Sequence, residues 1–141
     1  MSERNVDRLR RALKAYNNRD VEELLAYCDP SVEFHSAYAA IEGSVYHGHD
    51  GMRAWHRDVE DVWGDETRLE QEAYFDLGEH TLAFYVLHGR GQHSGIEVAM
   101  PNALVVRWRD DLMAYIKGYV DRGEAVRDLG VTEDELEPIA P

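Results

Sequence analysis

The sequence predicts an α+β fold, with three helices first, then a bent antiparallel sheet, then a short closing helix. Three observations predict it. Up to Trp63, apolar residues recur at three- and four-residue steps. From Thr67 onward they alternate at a period of two. The alternating segments are joined by short, turn-like links, which suit antiparallel neighbours and are too short for parallel crossovers.

The first helix is expected over about residues 3–18, with Val6, Leu9, Leu13 and Tyr16 on one face. Asn17-Asn18-Arg19 breaks the pattern. Asp20, with Glu23 at capping-box spacing, opens a second helix whose inward stripe is Val21, Leu24, Leu25 and Cys28. Asp29-Pro30 ends it, because the residue before proline is pushed out of the α region. A short strand is expected at 31–35, an irregular segment with Gly43 at 36–45, and a return strand at 46–48. Asp50 is expected to cap the third helix, which ends at Gly64 and turns Met52, Trp55, Val59 and Val62 inward, with His56 beside them.

Strands follow at 68–75, 81–89, 96–108 and 112–120, forming an antiparallel meander. Pro101 cannot donate a ladder bond, so a bulge or a sheet edge is expected there. Asp121 stands where the last strand meets the closing helix, a position open to two readings, catalytic carboxylate or helix cap. Glu124 follows at capping-box spacing, Gly130 sits where a helix C′ residue belongs, and Asp121 shares parity with Lys117 and Tyr119 on the outer face. The cap is the reading adopted. The domain is taken as residues 1–130, and residues 131–141 as a short acidic tail, helical or frayed.

The 141 residues suffice for one domain with a real core. Fifteen Lys and Arg against 28 Asp and Glu give a net charge of −13, which repels phosphate backbones and anionic lipid. Nucleic acid and membrane surfaces are therefore not expected partners. The one cysteine, Cys28, allows no internal disulfide, so a reducing cytoplasm is the expected location and a buried, inert thiol its expected state. His47-x-His49 has two candidate metal ligands and no third, so neither metal nor cofactor is expected. The Gly-rich stretch 89–95 joins two strands and opens no helix, which makes it a hairpin connection rather than a phosphate cradle.

Strand alternation assigns the faces. Ala114, Ile116, Gly118 and Val120 are expected inward on the last strand; Met100, Asn102, Leu104, Val106 and Trp108 are expected inward on the long one. On the strand at 81–89 both faces are apolar, with Ala83, Tyr85 and Leu87 on one and Leu82, Phe84, Val86 and His88 on the other.

The segments ALKAYNNRDVEELL, YHGHDGMRAWHRD, FDLGEHTLAFYVLHGRGQHSG and IKGYVDRGEAV resemble the SnoaL-like branch of the NTF2-like superfamily, over about residues 6–129. The resemblance implies an NTF2-like cone, a curved antiparallel sheet wrapped against the helices and enclosing a small-molecule pocket. It also implies homodimers formed through the outer sheet face, where the apolar stripe from Leu82 to Val86 would lie exposed. It places Tyr85 inward. The ligand-binding set is then Tyr16, Phe34, Trp55, His56, Tyr85, Met100, Asn102, Leu104, Gly118 and Val120, with Tyr38 at the mouth. A small apolar or aromatic, even polycyclic, molecule is the expected partner.

The fold hosts enzymes and non-catalytic binding or association domains alike. Alignment with ketosteroid isomerase puts Ala12, Phe34 and Leu104 at that enzyme's three polar positions, so its chemistry is not expected. Alignment with SnoaL-type polyketide cyclases puts Gly118 at their acid–base Asp, where a glycine would leave room for ligand bulk. His56 is the best remaining general acid or base, since imidazole titrates near neutrality. An acid–base cyclase, isomerase or hydrolase without metal is one expectation; a non-catalytic module is the other.

Overall fold

A computed structural model describes residues 2–37, 45–64, 67–90 and 95–141. The elements run α1 (Ser2–Asn17), α2 (Val21–Leu25), β1 (Cys28–His35), β2 (Val45–His47), α3 (Gly48–Trp63), β3 (Arg68–Leu77), β4 (His80–Arg90), β5 (Glu97–Arg109), β6 (Leu112–Tyr119) and α4 (Arg122–Asp128), then a 3₁₀ turn, Glu133–Glu135. The sheet has six strands in the order β2-β1-β6-β5-β4-β3. Segment 38–44, with Tyr38 and Gly43, and loop residues 91–94 lie outside the described residues.

The meander from β3 to β6 is antiparallel throughout, as the short links required. The β5–β6 link holds Asp110 and Asp111 at φ 51° and 67°, the paired left-handed conformation that suits a two-residue hairpin. Arg4 and Arg8 of α1 reach Asp111 at 3.4 and 3.5 Å and tie this turn to the first helix. Register shifts fall at Glu72, between Gln71 and Ala73, and at Ala114, between Tyr115 and Met113. Bulges of this kind bend a sheet. Pro101 pairs with Val86 in unbroken register, and the β5–β6 ladder begins only at Ala103, so proline's missing donor lies on a locally free edge.

Three local expectations need correction. Cys28 opens β1 rather than closing a helix. Helix α2 has only five residues, and the Tyr27 carbonyl accepts from Met113 N at 2.8 Å, drawing the backbone into the ladder with β6. Asp50 lies inside the first turn of α3, paired to Arg53 at 2.8 Å, while His47 takes the cap position. Val62 is 47% exposed. The inward stripe of α3 passes through Val59 to Trp63, a four-residue step, and leaves Val62 facing water.

Pairing of β1 with β6 is parallel. No short link joins them; the whole intervening chain is the crossover. The pairing is interrupted between Cys28 and Glu33, where Pro30 has no N–H to give and Asp29 Oδ1 accepts from Ser31 N at 2.8 Å.

Two apolar clusters sandwich the sheet. The inner one packs α1, α2 and α3 against Phe34, Ala83, Tyr85, Leu87, Leu104, Val106, Trp108 and Ile116. The outer one joins Phe75, Leu82, Ala103, Val105 and Tyr119 to Ala125 and Val126 of α4, with Leu129, Val131 and Leu136 packed on it. Leu82 is 0% exposed, and full burial of a leucine contributes about 2 kcal/mol. The stripe expected to lie open for a second copy is thus partly buried in the chain's own outer cluster. Phe84 and Val86 remain half-buried, and Arg122 lies 4.8 Å over the Phe84 ring.

Asp121 caps α4, its side chain accepting from Gly123 N at 2.8 Å, and Gly130 follows the helix at φ 71°. The residues after Gly130 are docked rather than frayed. Thr132 and Glu135 close a capping box, Tyr74 and Ile139 exchange backbone bonds of 2.9 and 2.7 Å, and Arg10 donates to the Ala140 carbonyl at 2.6 Å. Among the described residues no helix is long and apolar enough to cross a membrane.

Candidate functional site

The inner face of the sheet and the three N-terminal helices enclose a cavity of about 100 Å³. One face of α1 supplies Leu9, Ala12, Leu13 and Tyr16, a helical stripe at steps of three and four. Helix α3 supplies Met52, Trp55, Val59 and Trp63 on the opposite wall. Alternating sheet positions fill the floor, with Leu69, Tyr85, Leu87, Leu104, Ile116 and Gly118; Met113 joins them in place of the expected Ala114, because the bulge at Ala114 shifts the parity of β6. Leu24, Phe34, Ser36, Ala37 and Thr67 complete the lining, and none of the described lining residues is Asp, Glu, Lys, Arg or His.

Aromatic contacts fix the α3 wall. The Trp55 ring lies 5.4 Å from Tyr16 and 4.8 Å, edge to face, from Phe34. Tyr46 stands 6.3 Å from Phe34, and its hydroxyl donates to Asp58 at 2.8 Å; burial and then that carboxylate push its pKa up to about 12. Tyr16 and Thr67 share a buried hydroxyl–hydroxyl bond of 2.9 Å, so two of the few polar groups on the lining pair with each other.

Of the residues expected on the cavity, Tyr16, Phe34, Trp55, Tyr85, Leu104 and Gly118 line it. Met100 packs at the edge of the inner cluster, off the lining. Asn102 is wholly buried but off the lining as well; its backbone carbonyl accepts from Arg122 Nε at 3.0 Å. Val120 falls past the end of β6 and is 58% exposed, because the chain there turns into the α4 cap.

His56 is not on the lining either. Trp55 and Val59 occupy the cavity stripe, and the neighbouring position is turned about 100° away. Its ring meets the edge of Tyr16 at 6.2 Å, and Nδ1 lies 3.5 Å from Glu60 Oε1.

Gly118 serves a different purpose from the one expected. A Cβ there would lie 3.2 Å from Ala37 N and 3.3 Å from Ala37 Cβ. The space a side chain would need is taken by the backbone after β1, not left for a ligand. His49 binds the Cys28 carbonyl through Nε2 at 3.0 Å.

Trp63 and Thr67 were missed by sequence reasoning. Trp63 was legible, four residues after Val59; the three-residue step to Val62 competed with it. Thr67 carried no signal, since only the fold brings it to Tyr16.

This architecture defines an α+β cone with an apolar cavity. The SnoaL-like domain profile matches residues 9–116, and the chain belongs to that SnoaL-like family. Among solved structures, an NTF2-like protein of unknown function from Burkholderia pseudomallei K96243 is 22% identical, with a TM-score of 0.77 over 88% of this chain and 95% of that one. TerC co-crystallised with polyporic acid is 19% identical, with a TM-score of 0.75 over 89% and 97%. A putative polyketide cyclase from Xanthomonas campestris pv. campestris is 17% identical, with a TM-score of 0.74 over 89% and 96%. At these identities the likeness shows the fold alone. No curated protein matches the chain.

Proposed function

We propose that the protein takes up a small, largely apolar molecule in its cone and does so without acid–base chemistry. One observation carries the reading: a cavity between helices and sheet whose described lining has no charged side chain. Concave, mostly apolar sites with a few polar groups are what small ligands fill. The structure of TerC, similar in fold, holds polyporic acid. A general acid or base must come within hydrogen-bond reach of the reacting atom. His56 stands behind Tyr16 and against Glu60, which favours binding over turnover.

The test is native mass spectrometry of the protein purified from its own host, followed by titration of the parent and His56→Ala with the molecule recovered. A bound neutral mass, held with similar affinity by both, is the expected result. Conversion of that molecule by the parent and not by His56→Ala would establish the enzyme reading instead. Absence of any bound mass, with no tryptophan fluorescence response to neutral apolar compounds, would refute ligand uptake.

A further inference from the structure

The cavity is selective as well as apolar, in three respects. The first is size. Its volume of about 100 Å³ is on the scale of the roughly 150 Å³ of an engineered apolar cavity that binds benzene, a single ring. A polycyclic guest would have to displace the wall, and Trp55, held between Tyr16 and Phe34, is poorly placed to yield.

The second is charge. With no ionised side chain on the described lining, a charged guest would lose its hydration and gain no counter-ion. The third is a hydrogen bond. Trp55 Nε1 is buried and has no hydrogen-bond partner among the described residues, although its ring lines the cavity. Buried tryptophans normally find an acceptor, as Trp108 does, donating to Thr81 Oγ1 at 2.9 Å. Tyr16 and Thr67 pair with each other, and neither accepts from Trp55.

We infer that the cavity selects a neutral molecule of about one ring that carries a hydrogen-bond acceptor, such as a carbonyl oxygen, for the Trp55 indole N–H. The inference rests on the ligand-uptake reading above and narrows its ligand to a chemical class.

Four probes test it on the full chain by calorimetry and by NMR of ¹⁵N-labelled indoles. Cyclohexanone, methylenecyclohexane and cyclohexylammonium have the same number of non-hydrogen atoms and differ in acceptor and charge. The ketone 2-decalone adds a second ring. Cyclohexanone is expected to bind and to move the Trp55 indole proton downfield; methylenecyclohexane is expected to bind without that move. Cyclohexylammonium and 2-decalone are expected to bind at least about ten-fold more weakly than cyclohexanone. Trp55→Phe should weaken cyclohexanone up to about ten-fold and methylenecyclohexane about two-fold or less, the difference being one net hydrogen bond.

The indole proton in the unsubstituted chain gives the answer even if Trp55→Phe fails to fold. Equal weakening of both probes, an indole proton indifferent to the ketone, or equal binding of the ammonium or the bicycle would each overturn the inference while leaving ligand uptake standing. Binding of none of the four would overturn the uptake reading, and the inference with it.

Discussion

Replacing Asp121 by alanine is expected to cost about 1 kcal/mol of stability, the usual loss for an N-cap acceptor. The structure supports that figure term by term. The carboxylate accepts one bond, from Gly123 N at 2.8 Å. Its contact with Arg127, at 4.0 Å between side chains 61% and 71% exposed, adds little. Helix α4 has only seven residues, too few to be stable alone, so its cap and the burial of Ala125 and Val126 hold it.

Urea unfolding followed by tryptophan fluorescence measures the effect. With a slope of about 2 kcal/mol per M, the midpoint should fall by about 0.5 M. Asp121→Asn keeps the side-chain acceptor and should stay close to the parent, because asparagine caps about as well as aspartate. An unchanged midpoint for Asp121→Ala, or an equal loss for Asp121→Asn, would refute the cap. Loss of ligand handling in either variant with stability intact would return Asp121 to the site.

Two further outcomes are expected. Gly118→Ala should destabilise by about 1–3 kcal/mol through overpacking against Ala37. Thermal unfolding should show Ala37→Gly recovering part of that loss; a neutral Gly118→Ala would show that the segment after β1 yields freely. The Cys28 thiol should resist disulfide reagents at pH 8 until urea is added, because burial pushes its pKa up to about 12. A raised thiol pKa favours the neutral form of the folded chain, so this contribution is intact below the unfolded value of about 8.5 and is lost as pH rises toward the folded one. Complete native labelling at pH 8 would contradict the burial.

The helices and strands were legible because each buries one side at its own period. Leu9, Leu13 and Tyr16 were legible as one face of α1, and Leu104, Val106 and Trp108 as one face of β5, and the structure groups each set in the inner cluster. The Asp121 cap was legible because capping is a local bond between neighbours. The site was half legible. Alternation identifies Tyr85 and Leu104 as a set facing one side, but it does not report where a strand stops. Val120 obeyed the parity and still fell outside, one residue past β6.

The sequence by itself determined the α+β class, the meander and, up to the bulge at Ala114 that brings Met113 inward, the two faces of its strands, all consequences of periods within a few residues. Only the tertiary structure decided the parallel pairing of β1 with β6 and the conversion of Cys28 from helix to strand. It also decided the burial of Leu82 in the outer cluster, the filling of Gly118's space by Ala37 and the turning of His56 away from the cavity. Each depends on residues far apart in the chain competing for the same space or the same hydrogen bond. Local pattern carries no record of that competition.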